Sequence, residues 1–125
     1  MSQGPSGPTN TTMSTTNHLR RHRKRWALHQ AELAHLVGFK ARSVISSHEG
    51  GRTIAGLRAA LAYQFALGEA LATLFPGEAR RVQDMVLRRA AALDEKYRDR
   101  GDTRSIRVRE FLARLVERAD VSERP

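Results

Sequence analysis

HQAELAHLVGFKARSVISSHEGG, residues 29–51, decides how this chain is read. Its first half repeats apolar residues at helical spacing, with Leu33, Ala34 and Val37 on one face and Leu28 leading in. Gly38 ends that run, because a helix C-terminus favours a left-handed residue and glycine adopts it without steric cost. A second short run, residues 41–49, carries Val44 or Ile45 as its inward anchor and closes at Gly50-Gly51. Neither half is long enough to bury much alone. Two short helices about a tight glycine turn have the shape of a helix-turn-helix. A helix entering a DNA major groove about 12 Å wide must be narrow and small or polar on its outer face. Ser43, Ser46 and Ser47 meet that demand, and Arg42 adds a long bidentate donor.

The flanking sequence extends the helical reading in both directions. Residues 18–26, HLRRHRKRW, place Leu19, Arg23 and Trp26 on one face, with Asn17 as N-cap. Their other face carries Arg20, Arg21, Lys24 and Arg25, a basic cluster suited to non-specific phosphate attraction. Residues 56–66 predict a fourth helix with Leu57, Ala60, Leu61 and Phe65 inward, and residues 69–75 a short fifth. Pro76-Gly77 reads as a break. Beyond it, residues 78–99 and 105–119 form two amphipathic helices joined by a turn at 100–103. With no convincing strand or repeat, the predicted class is all-α. The expected core holds Trp26, Leu28, Leu33, Val37, Ile45, Leu61, Phe65 and Phe75.

Composition narrows the chemistry. In 125 residues there are 22 Lys+Arg against 13 Asp+Glu, a formal charge of +9. Residues 1–77 hold nine of the bases and three of the acids; residues 78–125 mix thirteen with ten. A one-signed basic field suits a polyanion, nucleic acid before an anionic membrane. The first 17 residues have no charged side chain and no bulky apolar residue except methionine, so they are expected to stay disordered. Without cysteine there is neither disulfide nor thiolate metal site, which fits a cytoplasmic location. No apolar run approaches the ~20 residues of a membrane span, and no secretory signal is expected at the start of this sequence. His18 and His22, at i and i+4, lack the further ligands a metal site needs. No activated nucleophile, paired carboxylates or cofactor loop points to an enzyme, so no catalytic residue, cofactor or metal is assigned.

Residues 19–76 resemble the lambda-repressor/Cro-like, or XRE, helix-turn-helix domain. The resemblance rests on Arg23, Leu28, QAELA at 30–34, Gly38, Ile45-Ser46, Glu49, Gly51 and LATLFP at 71–76. It implies a five-helix lambda-repressor-like DNA-binding domain, residues 18–77, followed by two C-terminal helices within 78–125. It implies further that Gln30 binds a DNA phosphate, with Arg52 holding another. Ala41, Arg42, Ser43 and Ser47 would face base edges, Ser46 the backbone, and Lys40 a phosphate or the turn. Arg23 and Glu49 would form an internal ion pair. The chain departs from the family at His29, a poorer N-cap, and at Gly50, which suggests a looser exit from the third helix. The expected partner is double-stranded DNA. The C-terminal helices are expected to form a homodimer interface, to pack within the chain or to take a protein partner. The implied function is a transcriptional regulator, a repressor of bacterial or phage type. The alternative is a protein-binding module of the same fold, such as the antitoxin of a toxin–antitoxin pair.

Overall fold

The computed structural model describes residues 17–122. Those residues form seven α-helices and no strand: α1 Leu19–Arg25, α2 Gln30–Val37, α3 Arg42–Glu49, α4 Leu57–Leu67, α5 Leu71–Leu74, α6 Pro76–Tyr97 and α7 Thr103–Ser122. The chain divides into two compact units, one ending at Ala79 and the other starting at Arg80. The tail expected to be disordered lies outside the described residues, apart from Asn17. None of the described helices is long and apolar enough to cross a membrane.

Each of the first five helices contributes one fully buried side chain to the first unit: Leu19, Leu33, Ile45, Tyr63 and Leu74. Burying one such side chain is worth roughly 1.5–3 kcal/mol. Leu28, Val37, Phe39, Ala55 and Phe75 close the edges of this cluster. Asn17 belongs to the fold rather than to the tail. Its Oδ1 accepts the Leu19 N–H at 3.0 Å, and its Nδ2 donates to the His48 carbonyl at 2.9 Å. The start of α1 is thereby fastened to the end of α3. The neighbouring His18 N–H donates to the Leu74 carbonyl at 2.8 Å, which ties the same point to α5.

The turn between α2 and α3 follows from one glycine. Gly38 sits at φ 88°, in the left-handed region. Its N–H reaches the His35 carbonyl at 3.3 Å, and the Phe39 N–H reaches Ala34 at 2.8 Å, the paired closure that ends many helices. Phe39 is thereby folded back on the core. Ala41, in extended conformation, then starts α3, and Ile45 rather than Val44 is its fully buried anchor.

Three expected core residues are exposed instead. Trp26 is 66 % exposed and Phe65 91 %, with Leu61 also in solvent. Trp26 stands past the end of α1, where the chain turns at Ala27 with φ 57°. In α4 the covered face is Ala59, Tyr63 and Leu67, opposite the one expected. The sequence LRAALAYQFAL is apolar on both sides, so periodicity alone could not choose between them. Pro76 is likewise not a break but the first residue of α6. That position tolerates proline because its N–H would lack an intrahelical acceptor in any case.

The second unit is a helical hairpin. Asp102 starts α7, its carboxylate accepting the Ser105 N–H at 3.0 Å and the Ser105 hydroxyl at 2.7 Å. The helix therefore begins at Thr103, before the predicted 105, and runs on to Ser122. Arg109 crosses from α7 to Asp94 at 2.9 Å and to the Arg98 carbonyl at 3.2 Å. The bond from Arg109 holds the Asp94 carboxyl below its usual range. Around Tyr97, Arg104 donates to the hydroxyl at 3.2 Å and the Arg100 guanidinium stacks 4.9 Å from the ring centre.

The two burial patterns separate experimentally. Ile45→Ala is expected to lower unfolding free energy by about 2–5 kcal/mol. Trp26→Ala is expected to change it by no more than about 0.5 kcal/mol. Urea unfolding followed by circular dichroism measures both.

Candidate functional site

A buried ionic fork positions the site. Arg23 on α1 donates from Nε to Glu49 Oε2 at 2.5 Å and from Nη2 to Oε1 at 3.1 Å. Its Nη1 donates to the Leu28 carbonyl at 2.7 Å. The two side chains are only 8 % and 4 % exposed. Gln30, first residue of α2, donates from Nε2 to the same Glu49 Oε1 at 3.0 Å. One carboxylate at the end of α3 therefore gathers α1 and α2, and Arg23 in turn holds the segment between them. A carboxylate bonded in this way keeps its charge out of water without leaving it unpaired.

The inner face of α3 rests on aromatic side chains. His48 Nδ1 lies 2.6 Å from the Tyr63 hydroxyl, with the two rings edge to face. Phe39 packs against the other side of His48, and Phe75 against Tyr63. Burial holds the His48 imidazole below its ordinary pKa, and burial together with the Glu49 charge holds the Tyr63 phenol above its own. With Ile45 and His48 turned inward, the opposite side of α3 carries Arg42, Ser43, Ser46 and Ser47. Arg42 and Ser43 are exposed; Ser46 and Ser47 are half-buried.

An open groove of about 720 Å³ runs beside this face. Arg20 of α1, the start of α2 at residues 30–32, and Arg42, Ser46 and Arg52 line it, with Arg23 and Glu49 in its wall. Four arginines against two glutamates give it a positive field, and the positive end of the α2 dipole opens on it. Glu32 is already engaged, accepting the His29 N–H at 2.8 Å. This bond supplies the start of α2 with the side-chain partner that His29 was not expected to provide.

The exit from α3 is bonded rather than loose. Gly50, Gly51 and Arg52 donate their N–H groups to the carbonyls of Ser46, His48 and Ser47 at 2.9, 3.2 and 3.0 Å. Arg52 folds back so that Nη2 reaches Ser46 Oγ at 3.3 Å. A Cβ at Gly50 would stand 2.9 Å from the Arg52 Nη1, so glycine there makes room for this guanidinium.

The groove thus unites Gln30, Arg42, Ser46 and Arg52 with the Arg23–Glu49 pair. Lys40, Ala41, Ser43 and Ser47 do not line it. Lys40 and Ala41 are exposed in the turn, Ser43 faces outward, and Ser47 Oγ bonds Thr53 Oγ1 at 2.9 Å. Arg20, one of the basic cluster on the outer face of α1, also lines the groove. Its position three residues before Arg23, on the same side of α1, was the available signal. His22 faces Glu69, with Nδ1 3.8 Å from Oε2, and among the described residues no group of His, Asp and Glu is placed to hold a metal ion. Chemically the groove offers forked cations and an amide donor, the equipment for holding an oxyanion.

Removing Glu49 alone strands Arg23 in the interior. Glu49→Ala is expected to cost about 3–5 kcal/mol, while the double replacement Arg23→Met with Glu49→Leu recovers most of that loss. Equilibrium unfolding of the single and double variants checks this, and equal losses in both would contradict it. No family model, curated protein or solved structure matches the chain.

Proposed function

We propose that this chain is a sequence-specific DNA-binding transcriptional regulator of the lambda-repressor/Cro-like helix-turn-helix kind. The observation that carries the reading is the pairing of two surfaces. A short helix with a small, polar outer face lies directly beside a groove of three exposed arginines and Gln30. An α-helix with its side chains is about 10–12 Å across, which matches the roughly 12 Å width of the DNA major groove.

In the proposed mechanism α3 enters the major groove from its N-terminal end. Arg42 reaches a guanine edge through its two forked donors, and Ser43 and Ser47 allow close approach. Gln30, already oriented by Glu49, turns its remaining amide hydrogen to a phosphate oxygen. Arg20 and Arg52 hold phosphates on either side and set the register, because backbone contacts position a reader while base contacts specify. Lys40 adds charge at the turn. Two copies would occupy two half-sites a helical turn apart, and the bound pair would repress by covering a promoter in the cytoplasm. The C-terminal hairpin, α6–α7, is left to receive a signal or a protein partner.

The test is selection from a random duplex pool, followed by fluorescence anisotropy on the recovered site. An enriched sequence is expected, with affinity falling as salt rises. Arg42→Ala should forfeit about 1–3 kcal/mol of discrimination at one base pair. Gln30→Ala should weaken all sequences alike. Arg20→Ala and Arg52→Ala should each flatten the salt dependence by about 0.9 in log–log slope. No enriched sequence, together with equally weak binding to random DNA, would overturn the proposal.

A further inference from the structure

We propose that the outer face of α4 is a self-association surface, whose occupant is α4 of a second copy of this chain. Helix α4 has only Arg58, Gln64 and the Tyr63 hydroxyl as polar side-chain groups. A helix apolar all round is normally covered on all sides. Here one side serves the core through Ala59, Tyr63 and Leu67. The opposite side presents Leu57, Leu61 and Phe65, 73 %, 47 % and 91 % exposed, with Ile54 just ahead at 65 %.

The area, shape and charge of this patch select a second copy. Four such side chains expose apolar surface on the order of 500 Å² per copy, at the upper end of what a monomer leaves in water. Pairing two of them removes about 1,000 Å² from solvent, the scale a specific interface requires. Leu57, Leu61 and Phe65 follow i, i+4, i+8, a straight ridge of the kind that interdigitates with a copy of itself. A two-fold axis at Leu61 sets each Leu57 against the partner's Phe65, the self-complementary contact of an isologous dimer. The helices then run antiparallel. Each Arg58, near the start of α4, faces the carbonyl end of the partner helix. Helix ends of that sign attract a cation. No acidic or basic group interrupts the ridge itself. The ridge lies wholly within the first unit.

The experiment uses the full chain, which has no cysteine. Sedimentation across the micromolar range is expected to show a monomer–dimer equilibrium for the native sequence. Phe65→Glu should weaken it by at least about 30-fold, the loss typical of a central contact, with helix content unchanged. Phe111→Glu, at an exposed position of the hairpin, should leave it intact. Independently, Leu61→Cys should form a disulfide-linked dimer under mild oxidation, since the axis passes beside that residue. A native chain that remains monomeric throughout the range would overturn the proposal. So would a dimer that survives Phe65→Glu and gives no Leu61→Cys cross-link.

Discussion

The first unit depends on the carboxylate of Glu49. It lies at the end of α3, yet its partners come from α1 and from the start of α2, and it is almost wholly withdrawn from water. Small helices of seven or eight residues cannot hold their own geometry, because nucleating a helix costs more than so few residues return. Tertiary contacts must do so. The apolar core supplies most of the energy through Leu19, Leu33 and Ile45, but it fixes no single rotation of α3 about its axis. A forked ion pair with two defined distances does. The His48–Tyr63 hydrogen bond and the Asn17 bond to the His48 carbonyl fix the same end of the helix from two further directions. With that end held three ways, Arg42, Ser43, Ser46 and Ser47 have one side left to occupy, and it is solvent.

The same fork links folding to the proposed activity. Gln30 does not wait in solvent for a ligand; its amide is already held by Glu49. A pre-held side chain surrenders less rotamer entropy on binding than a free one. Arg52 is similarly held against Ser46, with Gly50 leaving the space for it. The groove is therefore formed before any ligand arrives, and its arginines keep water-facing edges for an oxyanion.

Much of the helical order was legible in the sequence, because it depended on local signals. Gly38 marked a left-handed closure, and the spacing of Leu33 and Ala34 a buried face. Asn17, expected as the N-cap, stands one residue before that position, which His18 takes, while Asn17 Oδ1 still accepts the Leu19 N–H. The failures share a cause. On α4 both faces are apolar, so the period named a face without the means to decide between it and its opposite. Pro76 read as a stop because proline usually interrupts a helix, but the first position of a helix accepts it. Trp26 read as core by spacing, yet it falls one residue beyond the helix that would have carried it inward. The Arg23–Glu49 contact spans 26 residues and had no local signal; it entered only through the resemblance. Arg20 was visible as a charge, but its role depends on which way α1 faces, and that is decided by Arg23.

Backbone amide mapping of the ¹⁵N-labelled full chain, titrated with its selected duplex at low salt, tests the central claim most directly. The account predicts that the largest perturbations fall on residues 30–32, 41–47 and 52, with Glu49 and Arg23 unmoved as a pair. Perturbations concentrated on the hairpin or on α4, with α3 silent, would contradict it.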